Sequence, residues 1–268
     1  MENTTMENTR TKTTRNSLIL LLTAAIWGMA FVSQSKGMDY MHPFTFNGVR
    51  SLIGAASILV YILISRKIAG DKAAPLDWKL NVKAGLLCGI FLTIASTLQQ
   101  FGIKYTSVGK AGFITTLYII FVPMFGIFLK KKVAPVVWAA AVMAAVGMYL
   151  LCMTESLRLG AGDIMVFLCA IAFAIQIMTV DHYAARIDGA VVSCIQFTVC
   201  GVVCCIGALI WGQPTFGQLQ EGLGALLYAG VLSCGVGYTL QIVGQKGLNP
   251  TVAALIMSLE SAFAALGG

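Results

Sequence analysis

Glu260 is the residue whose placement most needs a chemical reason. It falls near the middle of the apolar stretch 250–268, where an ionised carboxylate costs at least about 2.5 kcal/mol unless it is paired, hydrated or protonated. Such a group can take up a proton during a working cycle, bind an amine, or be held by neighbouring helices purely for packing. Arg50 lies one to two turns inside another apolar stretch, 44–64. It reads first as an anchor that snorkels to the interface on its flexible stem. Turned inward, it would present a donor fork to a carboxylate. Lys110 opens the stretch 108–129 with the same two readings, anchoring first.

The parts of familiar enzymes are missing. The two histidines, His42 and His182, have no metal-ligand spacing, and there is no G-x-S-x-G elbow, P-loop or G-x-G-x-x-G after a strand. Gly160-Ala161-Gly162-Asp163 reads as a turn capping a helix. Asp181, His182 and Asp188 make only a thin candidate for an intramembrane transferase. No cofactor and no metal are expected, and the chain is read as a non-enzyme. The eight cysteines show no paired C-x-x-C motif and are expected to be free, buried thiols.

The elements that must position these residues follow from composition. Of 268 residues 58% are hydrophobic and 11% charged, with a mean hydropathy of +0.84, far from the composition of soluble domains. The apolar residues come in runs long enough to cross the hydrocarbon as helices, without the period-two alternation of membrane barrels. Nine helices are predicted, at 17–34, 44–64, 82–101, 108–129, 134–153, 163–182, 190–210, 223–243 and 250–268. Residues 1–16 are expected to be a disordered cytoplasmic leader. With the N-terminus inside, 13 of the 18 Lys and Arg fall on the inner side, among them Arg66, Lys67, Arg186 and Lys246, whereas only Lys36, Lys104, Lys110 and Arg158 fall outside. That bias orients the chain. The net charge of +7 is therefore a topology signal, and no nucleic-acid partner is expected.

An internal repeat sharpens the picture. A shift of 142 residues lays Gln99-x-x-Gly102-x-Lys104 on Gln241-x-x-Gly244-x-Lys246, and Ala111, Ile114, Leu117 and Phe121 on Ala253, Ile256, Leu259 and Phe263. The fourth and ninth helices are thus expected to be equivalents. Five helices per repeat is an odd number, so the second copy must enter from the opposite face. The expected fold class is an all-α membrane bundle of two inverted five-helix repeats, 17–154 and 155–268. A tenth helix would complete the second repeat, and the chain reads as one cut short before it. Gly85-x-x-x-Gly89 and the group Gly230, Ser233, Gly235 and Gly237 are read as close-packing sites, which with Pro123 supply flexible points.

The run Tyr105-Thr-Ser-Val-Gly-Lys-Ala-Gly-Phe-Ile-Thr-Thr-Leu-Tyr118, ending at Phe121-Val-Pro123, resembles the fourth helix of EamA-type carriers of the drug/metabolite transporter superfamily. Ala25-Ile-Trp27-Gly28-Met-Ala-Phe31, Arg50 and Leu259-Glu260-Ser261-Ala-Phe263 are also similar, although the family usually has Pro where Ser261 stands. The resemblance covers nearly the whole chain. It implies ten helices in the cytoplasmic membrane that move small metabolites by alternating access, often outward, with substrates from amino acids to sugars and drugs. It also implies that Trp27, Gln99, Thr115, Tyr118, Gln176, Tyr238, Gln241 and Ser258 lie on cavity-lining helices. Interhelical hydrogen bonds are the commoner role for any one of them; as a set with Arg50 and Glu260 they are the candidate substrate site. Partners are then the lipid bilayer and a small-molecule substrate, with a homodimer left open. The alternative is a non-transporting sensor or scaffold, or an inactive truncated remnant.

Overall fold

The computed structural model describes residues 2–70, 75–129 and 160–267, with positions 135, 138, 139, 141–143 and 146 between them and side chains from residue 12 onward. Among the described residues there are helices and no strands. Eight stretches are long and apolar enough to cross a membrane: Lys12–Gly37, Pro43–Ala69, Trp78–Tyr105, Val108–Phe128, Ala161–Tyr183, Gly189–Gly212, Leu223–Gln245 and Pro250–Gly267. The chain is an all-α, multi-pass membrane protein. Most of the fifth expected helix, 134–153, lies outside the described residues, as does Cys152; the other seven cysteines carry free thiols.

Local chemistry sets the helix starts. In α2 (Pro43–Ala69) proline fills the first position and the His42 ring accepts from the Phe44 N–H. Asp77 accepts the Leu80 N–H at the head of α3 (Trp78–Tyr105), and Ser107 accepts the Lys110 N–H at the head of α4 (Val108–Thr115). Helix α5 is Tyr118–Phe128 and α6 Ala161–Tyr183, the latter opened by the Gly160 N–H donating 2.8 Å to Asp163, the expected cap. Asp188 caps α7 (Gly189–Gly207), which runs on as a π-turn over Ala208–Gly212. Short helices α8 (Phe216–Glu221) and α9 (Leu223–Leu227) lead into a π-helical stretch, Tyr228–Gly237, and then α10 (Tyr238–Gln245). Asn249 caps α11 (Pro250–Met257), and α12 (Glu260–Gly267) ends the description. Helix α1 is Glu2–Gly37 and so begins fifteen residues before the expected start at 17. Once an apolar helix exists, each added residue needs only propagation, not a new nucleus.

The fourth and ninth predicted helices are each broken, where single rods were expected. A turn at Thr116–Leu117 separates α4 from α5, and one at Ser258–Leu259 separates α11 from α12. The two breaks stand 142 residues apart, the repeat shift found in the sequence. At each, a hydroxyl turns back on its own helix: Thr116 Oγ1 donates to the Phe113 carbonyl and Ser258 Oγ to the Leu255 carbonyl, both at 2.8 Å. Ser261 Oγ donates to the Ser258 carbonyl at 3.0 Å, so the second break forms without the proline usual at 261.

Helices α4 and α12 pack side by side, as do α5 and α11, so the broken pair runs antiparallel. Helix α1 lies against α12 and α10, while α6 lies against α5 and α3, the same pairing with the halves exchanged. Small residues permit the closest approaches. A Cβ on Gly28 would fall 2.6 Å from the Glu260 carbonyl oxygen, and one on Gly230 would fall 2.9 Å from that of Arg50. The apolar core lies where α2, α3, α6 and α7 meet the broken pair, and Leu63, Ile68, Leu209 and Phe128 point outward.

Candidate functional site

At the level of the two breaks the helices leave a central cavity enclosing about 570 Å³ of space free of atoms, part of it open to the exterior. Nine of the ten candidates line it: Trp27, Arg50, Gln99, Thr115, Tyr118, Gln176, Tyr238, Gln241 and Glu260. Ser258 does not; its hydroxyl is committed to the break. The space accessible to the centre of a water molecule is about 30 Å³, enough for a few waters. Admission of a metabolite therefore requires the helices to part.

Two charged side chains face this cavity. Glu260 begins α12 immediately after the break, is 4% exposed, and accepts one hydrogen bond, 3.0 Å from the Tyr118 hydroxyl at the start of α5. Arg50 is 5% exposed on α2, which corrects the expectation that it anchors at the interface. The reason is packing: α2 is flanked by α7 on one side and the π-helical stretch on the other, with Gly48 and Gly230 drawing the backbones together. Its Nε donates 2.9 Å to Asn47 Oδ1, and the guanidinium carbon sits 5.5 Å over the Phe46 ring. Among the described residues, neither Arg50 nor Glu260 has an ion-pair partner within 4 Å, and they do not pair with one another.

Amides and rings complete the lining. Gln241 Nε2 donates to Gln176 Oε1 at 3.2 Å and Gln99 Nε2 to Thr115 Oγ1 at 3.3 Å. Trp27 and Tyr238 lie 4.5 Å apart between centroids, and Phe197 meets Tyr238 edge-on at 4.9 Å. Three buried lining atoms, Trp27 Nε1, Gln34 Oε1 and Gln241 Oε1, have no hydrogen-bond partner among the described residues. Gln34, Phe31, Phe173, Ser51 and Ser96 also line the cavity and were missed in the sequence. The repeat held a signal for three of them, since the shift of 142 pairs Gln34 with Gln176 and Phe31 with Phe173. Ser96 is tied to Arg50 through Asn47, whose Nδ2 donates to Ser96 Oγ at 3.1 Å.

The two ends of the bundle differ. Where α1 and α3 end, His42, Phe44, Phe101 and Trp211 stack into an aromatic cluster with centroids 5.1 to 5.8 Å apart. At that end Lys110, expected to anchor, instead pairs with the buried Asp163 at 2.7 Å, and Thr106 donates to the same carboxylate at 2.6 Å. The opposite end opens into a second, wider cavity enclosing about 1220 Å³ of space free of atoms, part of it open to the exterior, whose lining includes Arg66, Arg186, Lys246, Asp77 and Asp188. Among the described residues no group of His, Cys, Asp and Glu is arranged to hold a metal ion.

The comparisons agree with this architecture. A solved structure described as "Crystal structure of protein" shares the fold with a TM-score of 0.74 at 16% identity, over 94% of this chain and 86% of that one. An uncharacterized transporter of Archaeoglobus fulgidus is 28% identical over 253 residues, which is 92% of this chain and 75% of that protein. The uncharacterized transporter YwfM of Bacillus subtilis is 27% identical over 247 residues, 91% of this chain and 80% of its own length. The model of the EamA-like transporter family matches residues 15–153 and 160–268. The chain therefore belongs to the EamA-like transporter family.

Proposed function

We propose that this membrane transporter is a secondary exporter of small metabolites such as amino acids, working by alternating access between two inverted halves, 17–154 and 155–268. It sits in the cytoplasmic membrane with its N-terminus inside. The observation that carries this reading is the central cavity, buried and walled by aromatic side chains with polar and charged groups among them, at the crossing of two antiparallel broken helices. Helix breaks at the midplane put polar groups next to a ligand, which is how many carriers build their sites. Trp27, Arg50, Gln99, Thr115, Tyr118, Gln176, Tyr238, Gln241 and Glu260 form the proposed substrate site, and Ser258 supports the break beneath it.

The test is counterflow in proteoliposomes with a panel of labelled amino acids, sugars and organic cations, comparing wild type with Glu260→Gln. Saturable exchange weakened by the substitution supports both the carrier and the site. Exchange indifferent to the substitution keeps the carrier and removes Glu260 from the mechanism. Absence of exchange for every compound sinks the carrier reading and leaves a non-transporting module.

A further inference from the structure

The wider cavity lies at the end of the bundle where α1 enters, since Asn16 Nδ2 donates 2.7 Å to the Lys246 carbonyl there. Three cations line it: Arg66 in the last turn of α2, Arg186 between α6 and α7, and Lys246 at the end of α10. Asp77 and Asp188 line the same space, yet among the described residues no ion pair joins either to a cation. Each carboxylate is turned to backbone N–H groups instead, Asp77 to that of Leu80 at 2.9 Å and Asp188 to that of Ala190 at 3.0 Å. Lys246 Nζ and Arg186 Nη2 donate only to carbonyls, of Ile187 and His182, both at 3.3 Å. The walls between the charges are apolar, with Tyr61, Ile62, Pro75, Leu76 and Val243. Tyr61 is exposed at the rim, and from there α2 turns Ile64 and Ile68 outward. The 142-residue shift accounts for the opening. It carries Phe44 to Arg186, Phe101 to Val243 and Ala69 to Trp211, so three of the rings packed at the far end have a cation, a valine and an alanine as counterparts on these walls.

We propose that this cavity is a lipid site, which takes the headgroup of an anionic phospholipid from the leaflet at that end. The phosphate is drawn in by the three cations, and the glycerol and first acyl carbons lie along Tyr61 and Ile62 at the rim. Charge complementarity selects an anion, because the two acids that could neutralise the cations are occupied as helix caps. The apolar walls select an amphiphile over a free phosphate ion, which gains nothing from them. Basic pockets between membrane helices are suited to acidic headgroups for the same reason. With the orientation proposed above, the leaflet is the cytoplasmic one. No residue lines both this cavity and the central one, but α2 and α10 wall both. Bound lipid therefore braces the end of the bundle that the rings do not close.

The experiment uses the full chain in a neutral detergent, titrated with phosphatidylglycerol, with phosphatidylcholine, which has no net charge, and with inorganic phosphate, while native mass spectra and melting temperature are recorded. Wild type is expected to take up phosphatidylglycerol saturably, at least about tenfold more tightly than phosphatidylcholine, and to melt higher when it is bound. Arg66→Gln combined with Arg186→Gln should bring the two lipids to within about twofold of each other. Lys67→Gln, exposed beside Arg66 but outside the cavity, should leave the preference as it is. Arg66→Lys with Arg186→Lys keeps the charges and is expected to keep the preference, which separates lost binding from lost folding. Where the double glutamine variant fails to fold, Lys246→Gln, expected to lose part of the preference, decides the same question. Equal binding of the two lipids by wild type overturns the proposal, as does a preference that survives the cavity substitutions. Inorganic phosphate displacing the lipid as well as phosphatidylglycerol itself does so too, leaving a site for free anions.

Discussion

A single hydroxyl holds Glu260 in place. Tyr118→Phe removes the one described donor to its carboxylate while keeping the ring, so exchange is expected to weaken by about tenfold, a charged hydrogen bond being worth roughly 1.5–3 kcal/mol. The melting temperature should move little, which separates a site effect from unfolding. Lys110 and Asp163 invite a second comparison. The Lys110 side chain is 21% exposed and Asp163 3%, so a stranded lysine can reach water but a stranded aspartate cannot. Lys110→Met is therefore expected to lower the melting temperature more than Asp163→Asn, the reverse of what equal sharing of the pair would give.

Elements here are held at contact distance by the absence of side chains. A methyl on Gly28 would lie 2.6 Å from the Glu260 carbonyl and 2.9 Å from the Ala264 nitrogen, whereas one on Gly109 meets nothing within 4 Å. Gly28→Ala is expected to push α1 off α12 at about 1–3 kcal/mol, while Gly109→Ala leaves stability within roughly 0.5 kcal/mol. Melting curves in detergent decide this, and equal effects would refute the packing account. The helix breaks show where the sequence stopped being legible. Hydropathy sees 108–129 and 250–268 as continuous, because the few polar residues around Thr116 and Ser258 are outweighed by the apolar residues on either side. Their return bonds to residues 113 and 255 are local geometry that composition does not encode.

At the scale of the molecule, the eight described spans fall where eight of the nine expected helices stand, and the 142-residue shift was readable, because bilayer thickness and internal repetition leave long signals. Which face of each helix turns inward was not. Arg50 looked like an anchor because its depth allowed snorkelling, and only the packing of α2 against α7 decides otherwise. The aromatic end offers a pH test. Burial and the nearby Lys104 hold the His42 pKa below its ordinary value of 6.5, so the folded end disfavours the protonated ring. That contribution to stability is complete above about pH 6.5 and is lost as the pH falls through the lowered folded value. The melting temperature of wild type is expected to drop relative to His42→Phe on acidification below that point; parallel curves would exclude the histidine as the cause.

Positions 118 and 260 are themselves 142 residues apart, and their side chains touch. Around a two-fold axis a central residue meets its own counterpart. Two identical chains would set phenol against phenol or carboxylate against carboxylate, giving the centre no negative charge or two. A single polypeptide escapes that parity rule: its halves can keep the same break and diverge at one facing position. Tyr118 opposite Glu260 gives the centre an odd number of carboxylates, which no homodimer of either half can supply.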